Sequence, residues 1–174
     1  MFHNHIAQLA ILPTGIDNYA LPVSNLQQLE ATAICANIGG RPVKLVAVYL
    51  SPLRSLLDAD LSECFGGGKP VFLAGDLNAK HREWNSRVNS PRGVLLRDFA
   101  TANSCFVHGP DVPTTVPSCP THTPDVLDIV VVKDFLLPVN LTVRSALSSD
   151  HFPVIVDLRG RSSFHTLPDR PSFE

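Results

Sequence analysis

The chain has 174 residues, 44% of them hydrophobic, enough for one domain with a sizeable core, since a domain near this length buries about 70% of its unfolded surface. A formal net charge of -2 excludes a chain-wide basic footprint of the kind that gives strong nonspecific affinity for nucleic acid, so any such contact has to be local. Cys35, Cys64, Cys105 and Cys119 form no CxxC pair, no apolar run reaches about 18 residues, and the start Met1-Phe2-His3-Asn4-His5 is not that of a signal peptide; ordinary thiols and a soluble intracellular protein without membrane association are expected.

Strand-length apolar runs rich in β-branched residues cover Ala7 to Leu12, Ala31 to Ile38 and Val43 to Leu50, and Gly39-Gly40-Arg41-Pro42 marks a hairpin turn between the last two. Leu53 to Phe65 carries apolar residues at 53, 56, 57, 61 and 65, a helical spacing that ends at Gly66-Gly67-Gly68. A strand over Val71 to Ala74 follows, then a helix over Gly93 to Ala102 whose Val94, Leu95, Leu96, Phe99 and Ala100 form a broad apolar face. Gly109 to Pro124 holds five prolines and reads as a long irregular loop. Two further strands, Val126 to Val132 and Pro153 to Leu158, precede a polar, proline-bearing tail from Arg159 to Glu174. Strands interleaved with two helices imply an α/β sandwich.

Three constellations carry chemistry. Val71-Phe72-Leu73-Ala74-Gly75-Asp76-Leu77-Asn78 is an apolar strand ending in Gly-Asp-x-Asn, and the i, i+2 spacing sets Asp76 and Asn78 on one side if extended geometry persists. An ionised Asp can orient or deprotonate a water and an Asn amide can donate to a phosphate oxygen, although the same residues also suit a turn. Ser149-Asp150-His151 lies at another strand boundary, pairing a hard oxygen ligand with the side chain that titrates near neutrality. Adjacent strand residues point oppositely, so convergence needs a bend in the backbone. Asp128 interrupts an otherwise apolar run and needs a partner, for which His151 is the natural choice. Tyr49, before Ser51-Pro52, is either a packing residue or a hydroxyl donor to the same phosphate. Basic residues thicken over Lys80, His81, Arg82, Arg87, Arg92 and Arg97, as a solvated face or as a phosphate-contacting rim.

The ordered set Tyr49-x-Ser-Pro, Gly75-Asp76-x-Asn78-Ala79, Leu127-Asp128-Ile129-Val130 and Ser149-Asp150-His151-x-Pro153-Val154 resembles the endonuclease/exonuclease/phosphatase superfamily. Within it, Ala79-Lys80-His81-x-x-Trp84-x-Ser86-Arg87, Pro91-Arg92-Gly93-x-x-Leu96 and Leu29-Glu30-Ala31-Thr32 resemble the jockey-like non-LTR retrotransposon endonucleases, over roughly residues 6 to 158. The resemblance implies two packed, mostly antiparallel β-sheets flanked by helices, a DNase I-like sandwich, with a partial domain over 1–158 and a tail or linker over 159–174. It implies Asp76 as the water-orienting acid, Asn78 and His151 as phosphate donors, Asp128 as the partner of His151, Tyr49 at the scissile phosphate and Asp150 as a metal-site acid. Thr114, Lys80, Arg87 and Ser149 would contact substrate.

The same resemblance carries functional expectations. The family's Mg2+ or Mn2+ chemistry, a DNA substrate, a reverse-transcriptase domain in the same polyprotein and a nuclear place of action are all implied. Family members carry an Asn motif and a metal-ligating Glu ahead of the matching region, so incompleteness at the N-terminus is expected; Glu30 and Glu63 do not replace that Glu. The alternatives are a catalytically inactive remnant and a superfamily phosphodiesterase acting on inositol phosphates, sphingomyelin or poly(A).

Overall fold

A computed structural model of the chain describes residues 17–117, 123–144 and 150–158. The strand expected over Ala7 to Leu12, Cys119 and the tail lie outside these residues. The first well-paired unit is a hairpin of β2 (Glu30–Ile38) and β3 (Arg41–Tyr49), with Ile38 directly opposite Arg41. Only Gly39 and Gly40 lie between, at φ values of +60° and +81°, so both central residues of the turn occupy the left-handed region that a two-residue hairpin with the strands' own twist demands.

Beside β2 runs β1 (Asn18–Leu21), antiparallel and too short and mixed in composition to be read from the sequence. Helix α1 (Asp58–Phe65) carries the chain over one face, so β4 (Val71–Asp76) returns parallel to β3. A 3-10 turn (Arg82–Trp84) and α2 (Pro91–Ala102) lead to β5 (Cys105–His108), which pairs with β6 (Asp128–Lys133), itself antiparallel to β4. The order is β1-β2-β3-β4-β6-β5, and β7 (Asn140–Val143) with β8 (Val154–Asp157) makes a second, two-stranded sheet.

Side chains alternate across the large sheet, and the two faces bury against different layers. Val46, Val48, Leu73, Ile129 and Val131 pack with Leu61, Phe65, Trp84, Leu96 and Phe99 on the helix side. Leu45, Phe72, Ala74, Val130 and Val132 pack instead with Phe135, Val139, Leu141 and Val156 of the second sheet and its flanks. This is the expected α/β sandwich, with both helices on one face of the large sheet.

Helix α1 starts five residues later than its apolar spacing suggests. Ser51 to Arg54 closes a turn instead, Arg54 N–H donating to Ser51 O at 3.0 Å, and Leu53 is 95% exposed. The helix start is set by Asp60, which is fully buried and accepts the amide N–H groups of Gln27, Gln28 and Leu29 at 2.8 to 2.9 Å, pinning α1 to the entry of β2. At its other end Lys44, also buried, points its ammonium at the carbonyls of Glu63 and Gly66 and satisfies the open C-terminus of the helix.

Burial alone would raise the pKa of Asp60, but the three amide donors outweigh it and hold the carboxyl below its ordinary value. A depressed folded-state value means that the stabilisation is present above the unfolded carboxylate range and is lost as pH falls through the folded value. Asp60→Asn, whose amide would face N–H donors, should cost ~2 kcal/mol at neutral pH. Urea unfolding should show that gap closing under acid; a gap that stays constant with pH would disprove the role of the charge.

Candidate active site

Tyr49 of β3 stands opposite Asp76 of β4, and Asp76 opposite Asp128 of β6, so three of the expected site residues form one row across the end of the large sheet. Each shares its strand's parity with Ala47, Ala74 and Val130, which puts the row on the face turned toward the second sheet. Gly75 is the residue that lets β4 close on β3 here: its φ is +152°, and a Cβ would lie 1.9 Å from the carbonyl oxygen of Val48.

Asp76 is buried, and Asn78 clasps it. The Asn78 backbone N–H donates to Oδ1 at 2.8 Å and its side-chain amide to Oδ2 at 3.1 Å. Asn78 sits at a φ of +46°, a left-handed conformation that Asn tolerates, and the same amide also donates to Leu50 O at 2.9 Å. Both amide hydrogens therefore have protein acceptors, and a phosphate oxygen would have to displace one of them. Burial, and next the charge of Asp128, push the Asp76 carboxyl up to about 7, against the opposing bonds from Asn78 and the pull of His151.

His151 reaches the row from the segment before β8. Its Nδ1 lies 3.0 Å from Asp128 Oδ2, and its Nε2 lies 3.4 Å from the Thr115 hydroxyl and 3.9 Å from Asp76 Oδ2. The hydrogen bond that His151 donates to Asp128 raises the His151 pKa above its ordinary value, and the surrounding carboxylates add to it. The backbone around His151 is held by pairing: Thr115 bridges to His151, Val116 N–H donates to Asp150 O at 2.8 Å and Phe152 N–H to Thr114 O at 2.7 Å. Tyr49 is half-buried, and burial followed by the Asp76 charge holds its hydroxyl above the usual tyrosine value, so it stays a neutral donor.

Three of the four residues expected to contact substrate are placed differently from that set. Thr114 has no exposed surface, and its hydroxyl accepts the backbone N–H groups of Leu127 and Asp128 at 3.0 and 3.1 Å, so it positions the start of β6. Lys80 forms an ion pair with Asp125 at 3.0 Å. Arg87 is exposed, and its guanidinium donates to the Thr123 hydroxyl. Ser149 lies outside the described residues. Asp125 was missed by sequence reasoning: it is buried and its carboxylate takes the N–H groups of Arg87 and Val126 at 3.0 Å besides the Lys80 ammonium. Its one sequence signal was an acid at the foot of an apolar strand. It ties the loop after β4, the Thr114 strap and β6 into one frame.

The donor set suits a hard cation in a limited way. Asp76, Asp128 and Asp150 are oxygen ligands, but among the described residues no three His, Cys, Asp or Glu side chains gather as an all-protein cage would require. Mg2+ needs less, since one or two carboxylates with water and substrate phosphate suffice. Asp150 is exposed, and its charge adds to the upward shift of His151.

A carboxyl whose folded-state pKa is raised contributes most to stability below the unfolded carboxylate range, and that contribution is lost as pH rises through about 7. Asp76→Asn should therefore make the chain ~1 kcal/mol more stable at mildly alkaline pH and bring little change under acid. Equal melting temperatures of the two proteins across that range would contradict the assignment. Asp125→Ala, which strands the Lys80 ammonium and two amides, should cost ~3 kcal/mol by denaturant unfolding.

A family model described as endonuclease-reverse transcriptase matches residues 43–155. The Drosophila melanogaster protein named "Probable RNA-directed DNA polymerase from transposon BS" is 25% identical over 166 residues, 92% of this chain and 18% of that protein. The Drosophila funebris "RNA-directed DNA polymerase from mobile element jockey" is 32% identical over 150 residues, 85% of this chain and 16% of that protein. The chain thus spans under a fifth of either relative. The solved endonuclease domain of TRAS1, a telomere-specific non-LTR retrotransposon, superposes with a TM-score of 0.70 at 18% identity, covering 87% of this chain and 73% of that one. With the family matched over most of its length and the fold of a retrotransposon endonuclease domain, the chain belongs to the endonuclease-reverse transcriptase family.

Proposed function

We propose that the site nicks DNA by hydrolysing a phosphodiester bond, with Mg2+ or Mn2+ as cofactor and Asp150 among the groups that hold it. The observation that carries this reading is the pairing of Asp76, pushed to about 7, with an Asp128-oriented imidazole whose Nε2 faces the same space. An acid poised near neutrality works as a general base at working pH. Asp76 takes a proton from the attacking water, whose oxygen forms the new bond to phosphorus. His151, held protonated by Asp128, donates from Nε2 to a non-bridging phosphate oxygen as charge builds there. Tyr49 donates its hydroxyl to the same phosphate, and Asn78 keeps the Asp76 carboxylate in register. The bond from phosphorus to the leaving 3′ oxygen breaks, and that oxygen takes a proton from solvent to become a 3′-hydroxyl. The metal, when bound, supplies positive charge against the phosphate and the leaving oxygen.

In this reading the domain spans residues 1–158, residues 159–174 link it onward, and the 3′-hydroxyl primes a reverse-transcriptase domain of the same polyprotein in the nucleus. Among the described residues no helix is long and apolar enough to cross a membrane. The names of the two Drosophila relatives support the polymerase partner.

Nicking of supercoiled DNA by the purified chain with Mg2+ should be abolished by EDTA and lowered about 10²- to 10⁴-fold by His151→Ala. The rate should rise through about pH 7 as Asp76 loses its proton and fall above the ordinary histidine range as His151 loses its own. Intact DNA with release of phosphate from a small ester would assign the chain to another phosphodiesterase activity; no hydrolysis of either would make it an inactive remnant.

A further inference from the structure

Leu53 is 95% exposed, more than any other large apolar side chain among the described residues. Scattered exposed leucines are ordinary, but this one is held out by a pinned turn. Arg54 N–H closes the turn on Ser51 O at 3.0 Å, and Leu53 N–H contacts Ser51 Oγ at 3.4 Å. Arg92 Nη2 donates to Pro52 O at 2.5 Å, and Arg54 Nη1 to Gln28 O at 3.3 Å. An apolar tip on a mobile loop would fold back onto the protein; here backbone bonds on both sides keep it in water.

Its distance from the site is limited by the chain. Leu53 follows Tyr49 by four residues, so its Cα lies within ~14 Å of the Tyr49 Cα. That reach is about four base steps of a duplex whose scissile phosphate sits on Asp76 and His151. Leu50, between them, is bonded to the catalytic clasp through its carbonyl to Asn78 and its N–H to Asp76 O. Arg54 and Arg92 flank the tip, and their bonds to Gln28 and Pro52 use one of the five N–H donors of each guanidinium. An apolar point between two cations, a few base steps from a phosphodiester site, has the chemistry of a side chain that enters a groove and parts stacked bases while its neighbours hold the backbone.

We propose that Leu53 is a wedge that inserts between base steps of duplex DNA beside the cleaved phosphate and so selects sequences that unstack easily. This inference rests on the endonuclease reading of the site. The probe is a duplex oligonucleotide carrying 2-aminopurine at successive positions, titrated with the whole chain, with a single-stranded oligonucleotide of the same sequence as reference. The unaltered chain should raise the emission at one or two adjacent positions. Leu53→Ala, a change at a fully solvated side chain that leaves the core untouched, should lose that rise and bind the duplex about 10-fold more weakly. Affinity for the single strand should be unchanged, and Leu53→Phe should restore the emission. Equal emission and equal duplex affinity for Leu53→Ala and the unaltered chain would overturn the wedge alone and leave the exposed leucine to a protein partner. Failure of the unaltered chain to bind duplex would overturn the endonuclease reading and the wedge with it.

Discussion

Two carboxylates face each other across β4 and β6, Asp76 on one strand and Asp128 on the other, at the end of a sheet whose neighbouring rows are apolar. Like charges in a half-buried setting repel, and the chain answers with a different partner for each: the Asn78 amide groups for Asp76 and the His151 imidazole for Asp128. Register makes this possible. Because side chains alternate with period two, a one-residue slip of β6 would send Asp128 to the helix side and Ile129 into the site. Residues with no chemistry of their own hold that register: Gly75, which allows the approach of β3, and Thr114, whose hydroxyl fixes the amides at the start of β6.

Local pattern foretold the elements that are long and apolar. β2, β3, β4, β6 and β8 fall where β-branched runs predict them, and α2 begins at Pro91, two residues before its apolar face, with Ser90 as its cap. β1, β5 and β7 have four residues each and borrow their identity from a neighbour, so nothing local marks them. The early start expected for α1 failed because apolar spacing is silent about a buried carboxylate 31 to 33 residues after its amide partners.

At the site the chemical residue types were legible one by one, as was the pairing of His151 with Asp128, since a carboxylate in an apolar run demands a partner. What could not be read was who satisfies whom across the loops. Lys80 and Thr114 look like substrate-facing groups by type, but a buried Asp125 and the amides of β6 take their polar atoms. Asn78 is similar: its amide is the right donor for a phosphate, and its backbone turn brings that amide onto Asp76 and Leu50 instead. The basic stretch of a mildly acidic protein thus serves partly as internal scaffolding.

The imidazole comes from the segment that leads into the smaller sheet, while Asp76 and Asp128 come from the larger one. A two-stranded ribbon is marginal by itself, and β7 and β8 are held by Phe135, Val139, Leu141 and Val156 against Phe72 and its neighbours. Loosening that apolar seam would leave the backbone bonds of Asp150 and Phe152 to Val116 and Thr114 as the hold on His151 beside Asp128, while the six-stranded sheet stays intact. Heritable variation at these buried positions would therefore loosen the smaller sheet in chains that still form the larger one and remain recognisable by its strands.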